Sequence, residues 1–126
     1  MALHKSGEDY LETILVLHKR TGFVRSIDIA TELDYSKPSV SRAMSLLKNG
    51  GFINVLTDGQ ILLTEKGLAK ADEIYNRHLL ITGFLSDALG VSELTAEEDA
   101  CKIEHVISCE TTEKLKIFME KYKEGK

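Results

Sequence analysis

Residues 26–63 read SIDIATELDYSKPSVSRAMSLLKNGGFINVLTDGQILL, and this stretch determines the fold. Ser26 opens a short helix over residues 27–33, because serine is a favoured residue at a helix start. Ser36 is a good N-cap for a second helix, which runs to about Lys48 and ends at Asn-Gly-Gly. Two short helices joined by a tight turn are typical of a helix-turn-helix.

A β-hairpin is predicted directly after the second of these helices. Two short β-prone runs, residues 52–56 and 61–63, flank the turn residues Asp58 and Gly59. An Asp-Gly pair between such runs is a strong hairpin signal. A helix-turn-helix followed at once by a hairpin has the element order of a winged helix. We therefore predict a mainly α protein with a small β-wing, and we expect the wing to lie along a DNA phosphate backbone.

The second helix of the motif carries the side chains that we expect to contact DNA. Residues 36–50 contain three basic side chains and no acid. Hydrogen-bond donors and cations at the N-terminal end of such a helix suit a groove-reading role. The predicted DNA-contacting residues are Lys37, Ser39, Ser41 and Arg42. The alternative is an ordinary helical hairpin with a polar face.

A long helix is expected from Glu65 to about Asp87, with Thr64 as its cap and a break or kink at Gly83. Apolar residues occupy much of its circumference. A helix this apolar needs more burial than one small lobe offers, so it predicts a dimer interface and hence a homodimer.

Three common metal-ligand types occur within five residues near the C-terminus, at Cys101, Glu104 and His105. Positions i, i+3 and i+4 share one face of a helix, and we expect that helix to follow a capping box at residues 95–98 and to run to about Ser108. A thiolate, a carboxylate and an imidazole on one face make half of a metal site. The alternative is a helix with a buried small cysteine and a solvated Glu–His pair.

Other acids and a histidine of note lie elsewhere in the chain. Asp9 and Glu12 are spaced i, i+3 on a first helix that we expect over residues 7–19, capped by Ser6. Acids near a helix N-terminus are also favoured by the macrodipole alone. His78 lies on or beside the apolar stripe of the long helix, where a core histidine with a backbone partner is the alternative.

The length and composition are those of an ordinary folded domain. The chain has 126 residues, of which 43% are hydrophobic, and a net charge of −4. It contains neither a signal-peptide pattern nor a run approaching the ~20 apolar residues of a membrane span, so we expect a soluble, cytoplasmic protein with no membrane partner. Cys101 and Cys109 are too far apart on one helix for a disulfide and are expected to be reduced.

A last helix is expected to start at Thr111 or Thr112.

Four separate segments resemble the diphtheria toxin repressor family of metal-dependent transcription repressors, over nearly the full chain. They are Glu8-Asp9-Tyr10-Leu11-Glu12-Thr13-Ile14, the winged helix, Arg77-His78 followed by leucines, and Cys101-x-x-Glu104-His105-Val106-x-Ser108. The resemblance implies a winged helix-turn-helix DNA-binding domain over residues 1–66 and a helical dimerisation and metal-binding domain over residues 67–126. It also implies a ligand set of Asp9, Glu12, His78, Cys101, Glu104 and His105.

The resemblance combines two branches of that family. Asp9, Glu12 and His78 look like the manganese-transport regulators, whereas Cys101 looks like the iron-responsive branch. Thr82 and Glu97 replace the residues with which the iron branch builds its ancillary site, so that site is not implied. Cys101 replaces a carboxylate with which the manganese branch helps to hold two ions, so a second metal is not implied either. Hard carboxylates suit Mn(II), and a thiolate shifts the preference toward Fe(II) and later metals. We expect Fe(II) as the corepressor, with Mn(II) second.

The resulting interpretation is a metal-dependent repressor of iron or manganese uptake genes that binds a palindromic operator in double-stranded DNA as a homodimer. Two alternatives stay open. One is a winged-helix regulator that senses a small organic ligand. The other is an enzyme that uses Cys101 and His105. The sequence shows neither a Gly-rich oxyanion loop nor a clear group to orient His105, and this disfavours an enzyme. The sequence leaves open the operator, the number of metals, and repression against activation.

Overall fold

A computed structural model describes residues 5–125 of the chain; residues 1–4 and residue 126 lie outside the described part. The chain divides into two compact units, Met1–Glu73 and Ile74–Lys126. The predicted domain boundary lies between residues 66 and 67 and stays a prediction. The predicted fold class, mainly α with a small β-wing, is confirmed.

The N-terminal unit is a winged helix built on three helices and a hairpin. Its apolar core is formed by one face of each helix and by the strands, with Leu11, Ile29 and Val40 fully buried at its centre. The elements in chain order are α1 (Lys5–Thr21), α2 (Ser26–Leu33), α3 (Lys37–Asn49), β1 (Ile53–Val55), β2 (Ile61–Leu63) and the first half of α4 (Glu65–Gly83).

The turn between α2 and α3 has the predicted form. Ser36 caps α3, and its hydroxyl accepts a hydrogen bond from the Ser39 amide at 3.3 Å. Asp34 ends α2 with a left-handed backbone (φ 56°), a conformation that Asp and Asn tolerate better than most residues. The sequence-based prediction of two helices joined by a tight turn is therefore confirmed.

The hairpin is antiparallel, and Ile53 pairs with Leu63. Gly59 lies in the turn at φ +88°, which explains why a glycine follows Asp58 at this position. The Ile61 amide also donates to the Val24 carbonyl at 2.7 Å, so the segment between α1 and α2 lies along the outer side of β2.

The start of α4 is packed tightly against Phe52, in the segment between α3 and β1. Thr64 caps the helix, as predicted, by accepting from the Gly67 amide at 3.0 Å. A Cβ atom added to Gly67 would lie 1.9 Å from the Phe52 carbonyl oxygen, so only glycine allows this close approach.

The C-terminal unit consists of the second half of α4, a π-helical turn and two further helices. The π-helical turn (Phe84–Ala88) begins directly after Gly83, where a break or kink was predicted. It is followed by α5 (Glu93–Ile103) and α6 (Cys109–Glu124). Phe84 contacts Phe118 of α6 edge-to-face, with ring centroids 5.7 Å apart.

Several predicted helix ends are wrong. Ser6 lies inside α1, because the helix already includes Lys5. α5 starts two residues before Thr95, with Ser92 as its N-cap, so residues 95–98 are not a capping box. The remaining differences concern the segment between α5 and α6.

α5 ends at Ile103 rather than near Ser108, and α6 starts at Cys109 rather than at Thr111 or Thr112. The reason is that Ser108 caps α6, accepting from the Thr111 amide at 3.0 Å. Among the helices in residues 5–125, none is long and apolar enough to cross a membrane.

Candidate metal centre and DNA-binding helix

A fully buried carboxylate, that of Glu104, lies between two imidazoles in the C-terminal unit. Its Oε2 is 2.7 Å from Nδ1 of His78, and its Oε1 is 3.2 Å from Nε2 of His105. The His105 side chain is also fully buried, and that of His78 is 13% exposed. The structure thus brings three of the six predicted ligands together.

Local structure explains how Glu104 and His105 reach this position. The Glu104 amide still donates to the Ala100 carbonyl, so Glu104 keeps the helical direction of α5. His105 and Val106 then form a turn with hydrogen bonds to the third residue before them. Arg77 of α4 donates from Nη1 to the Glu104 carbonyl oxygen at 2.5 Å and fixes this turn against the helix that carries His78.

The cluster fits a divalent transition metal. A carboxylate removed from water is costly unless a positive charge or hydrogen-bond donors compensate it. Neutral imidazole nitrogens and an ionised carboxylate are also the ligands that Fe(II), Mn(II) and related ions accept in proteins. Converging donors of these types at one buried position could hold such a cation.

Cys101 lies on the last turn of α5, three residues before Glu104, and it is exposed. The alternative of a buried cysteine with a solvated Glu–His pair is therefore wrong, because Glu104 and the His105 side chain are buried and Cys101 is not. For His78, Nδ1 faces the Glu104 carboxylate rather than a backbone group. The ligand role of Cys101 stays a prediction.

The other two predicted ligands, Asp9 and Glu12, lie in the N-terminal unit. Both are half-buried on α1, at the predicted i, i+3 spacing. Glu8 precedes them and is buried, with Oε2 at 3.9 Å from Nζ of Lys70. The first turns of α1 therefore concentrate three carboxylates, of which sequence reasoning had selected two.

Tyr10 links this part of α1 to the turn before α3. Its ring contacts Tyr35 edge-to-face, with centroids 5.9 Å apart. Burial raises the pKa of the Tyr10 phenol, and the neighbouring Tyr35 and Asp9 raise it further.

The predicted DNA-contacting residues all lie on the first two turns of α3, and all are exposed. The Ser39 hydroxyl is also 2.8 Å from that of Ser36 and so belongs to the cap. The four are Lys37, Ser39, Ser41 and Arg42. Their contact with DNA stays a prediction.

Sequence reasoning missed two residues that shape these regions. The sequence analysis named Arg77 only as the neighbour of His78 in a motif. It could not predict the hydrogen bond from Arg77 to the Glu104 carbonyl, because the two residues are 27 positions apart. Arg25 had no assigned role, yet its Nε donates to the carbonyl of Asp58 in the wing at 3.1 Å.

Comparisons with known proteins agree with both halves of this description. Residues 2–59 match the profile of the iron dependent repressor, N-terminal DNA binding domain. Residues 64–125 match that of the iron dependent repressor, metal binding and dimerisation domain.

Full-length relatives match as well. An uncharacterised HTH-type transcriptional regulator of Methanocaldococcus jannaschii is 39% identical over 123 residues, which cover 97% of this chain and 98% of that protein. The transcriptional regulator MntR of Escherichia coli O157:H7 is 34% identical over 115 residues, which cover 91% of this chain and 74% of MntR.

A solved structure also resembles the chain. That of the manganese regulator SloR has a TM-score of 0.79 and 31% identity, and the match covers 95% of this chain and 55% of SloR. The chain thus spans about half the length of that structural relative.

The winged helix and the profile matches place the chain in the class of metal-dependent, DNA-binding transcriptional regulators. More narrowly, the chain belongs to the iron-dependent repressor family, which is the family of the diphtheria toxin repressor.

Proposed function

We propose that this regulator represses iron or manganese uptake genes and that a divalent cation is its corepressor. The observation that carries the proposal is the buried Glu104 carboxylate between two imidazoles. Such a cluster is costly as plain core structure but suits a cation-binding site. The family profile over residues 64–125, which names metal binding and dimerisation, supports the same interpretation.

The proposed ligands are those that the resemblance to the family implies. The C-terminal unit contributes the buried cluster and the exposed thiol of Cys101, and α1 contributes Asp9 and Glu12. A bound cation would neutralise the carboxylates and so favour the arrangement that binds DNA. The full proposed set is Asp9, Glu12, His78, Cys101, Glu104 and His105.

We propose Fe(II) as the physiological metal, with Mn(II) second. The carboxylates of Asp9, Glu12 and Glu104 suit either ion, and the thiol of Cys101 favours iron. Because Mn(II) is the weakest binder of the first-row series at most sites, selection between the two must depend on geometry and metal availability.

The exposed N-terminal half of α3 supports the proposed mode of DNA binding. Lys37 and Arg42 supply cations, and the serines supply short donors that can approach base edges. Two copies related by a two-fold axis would place two such helices about one DNA turn apart, ~34 Å, which predicts a palindromic operator. A homodimer working on DNA implies a cytoplasmic location, and the proposal includes no enzymatic activity.

A gel shift tests the proposal. Wild-type protein would be titrated anaerobically onto DNA upstream of its own gene and of neighbouring transporter genes, with chelator, with Fe(II) and with Mn(II). We expect a shift only when metal is present. Cys101→Glu should move the preference from Fe(II) toward Mn(II), while the exposed Cys109→Ser should not change it. Binding that resists chelator would contradict the corepressor role and would favour the sensor of a small organic ligand.

A further inference from the structure

The wing of this protein carries no cation of its own. Residues 52–63 contain neither lysine nor arginine, and their one charged side chain is Asp58. A wing that follows a DNA backbone needs positive charge or donors there, because phosphate contacts dominate affinity for DNA. Side chains such as Asn54 and Thr57 can supply donors, but any positive charge at the wing comes from a different part of the chain.

Two cations from outside the wing, Lys66 and Arg25, contact it or the residues beside it at different places. Lys66 lies at its base, where Nζ donates to the Gly50 carbonyl at 2.9 Å and sits 4.4 Å from the Phe52 ring centroid. Arg25 reaches the tip, where its Nε donates to the Asp58 carbonyl at 3.1 Å. The Asp58 carboxylate accepts from the Gln60 amide, so the guanidinium bond is made to the backbone of the turn.

Arg25 is held in place from three sides. Its guanidinium lies over the Phe23 ring, 4.5 Å from the centroid. Its own amide donates to the Asp28 carboxylate at 2.9 Å, and the preceding residue, Val24, accepts the hydrogen bond from β2. The Asp58 bond uses only one of the five guanidinium N–H donors, and the side chain is exposed.

We propose that Arg25 is the phosphate-binding cation of the wing, supplied from the segment between α1 and α2. The Nε–H fixes the side chain to the wing turn, and the Nη groups bind a phosphate of the operator backbone. Arg25 therefore has two separable roles, positioning the turn and carrying the charge. The inference rests on the proposed operator binding by the winged helix.

Glutamine at this position separates the two roles. The Nε2 of a glutamine occupies about the place of the arginine Nε, so Arg25→Gln keeps a donor for the Asp58 carbonyl and removes the charge. Arg25→Ala removes both. The matched control is Lys116→Gln, which removes one charge from an exposed position on α6.

The experiment measures operator affinity at saturating Mn(II) between about 0.05 and 0.3 M salt, after thermal unfolding has shown that each variant is folded. Each phosphate contact contributes about 0.9 to the slope of log K against log salt. With one contact per subunit of a dimer, Arg25→Gln should lower the slope magnitude by about 1.8. Affinity near 0.15 M salt should fall roughly 30-fold, and Arg25→Ala should fall further because the turn is released.

The inference fails if Arg25→Gln keeps the wild-type slope, because Arg25 would then only position the turn. It also fails if Lys116→Gln lowers the slope as much, since the effect would then report net charge. If wild-type protein shows no metal-dependent operator binding, the proposed function fails instead, so the two failures are distinguishable.

Discussion

The two units of this protein are stabilised in different ways. Of the twenty buried apolar side chains in the described residues, fifteen lie in the N-terminal unit and five in the C-terminal unit. The C-terminal unit also fully buries a carboxylate, Glu104, against two imidazoles, whereas the buried Glu8 of the N-terminal unit lies near Lys70. The winged helix therefore has the larger apolar core, and the C-terminal unit combines a smaller one with a buried polar cluster.

The difference also separates the two functions. The N-terminal unit has an apolar core behind the exposed N-terminal half of α3, which suits the proposed DNA-binding surface. In the described residues the C-terminal unit buries few apolar side chains and, like the N-terminal unit, exposes several, among them Leu79, Leu94 and Phe118. This pattern suits a domain completed by a cation and by a second copy, as we propose.

The largest effect is expected at the polar cluster. Glu104→Gln keeps the size of the side chain but removes the charge that holds the imidazoles and the proposed cation. Metal affinity should fall at least roughly 100-fold. Substituting a residue that hydrogen-bonds to a metal ligand typically lowers metal affinity 10- to 100-fold, and removing a ligand itself should cost more. Calorimetric metal titration measures it. Glu98→Gln, an exposed acid on α5, is the control, and equal metal affinity in wild type and Glu104→Gln would refute the assignment.

Glycine-to-alanine substitutions in α4 compare the packing of the two units. Gly67→Ala would place a methyl group 1.9 Å from the Phe52 carbonyl oxygen, so we expect a loss of about 3 kcal/mol in the free energy of unfolding. At Gly83 the nearest atom is the Met119 methyl at 3.9 Å, and alanine should be neutral or stabilise by about 0.5–1 kcal/mol. Urea unfolding measures both. If the two variants were equally stable, the tight contact between α4 and Phe52 would be excluded.

The exposed half of α3 should affect DNA binding but not metal binding. We expect Lys37→Ala and Arg42→Ala each to weaken operator binding by about 1–3 kcal/mol, as for loss of a base or phosphate contact. Lys48→Ala, at the opposite end of the same helix, is the matched control and should have the smaller effect. Anisotropy titrations with operator DNA measure this, and unchanged binding in Arg42→Ala would show that the assignment is wrong.

The smallest effect concerns the pH dependence of the winged helix. Because burial raises the pKa of Tyr10, its protonated form stabilises the fold fully below the unfolded value of about 10. That stability is lost as the pH rises through the higher folded value. Urea unfolding of wild type and Tyr10→Phe between pH 8 and pH 11 should show a smaller alkaline loss in the variant. An identical loss would mean that Tyr10 does not contribute.

Local signals predicted most of the N-terminal unit. Ser36, Thr64 and Asp58-Gly59 have their predicted roles, because capping and turn formation depend on neighbours within a few residues. The predictions that Ser6 and Thr95 cap their helices are wrong. Several residues near each helix start could serve as a cap, and packing decides among them.

The residues of the buried polar cluster were predicted by residue type but not by geometry. Spacing identified Glu104 and His105, and the resemblance added His78. Their mutual contacts join residues 26 positions apart, and the early end of α5 depends on Ser108 and on Arg77. Periodicity carries no information about such contacts. The exposure of Cys101 was likewise not predictable from a shared helical face.

The central claim is that the cation site and the DNA-binding surface are thermodynamically coupled. The most direct test is a Mn(II) titration of the wild-type protein in the absence and in the presence of saturating operator DNA. Because coupling is reciprocal, operator DNA should raise metal affinity by the same factor by which metal raises operator affinity, roughly 5- to 150-fold. A metal affinity that operator DNA does not change would contradict the account.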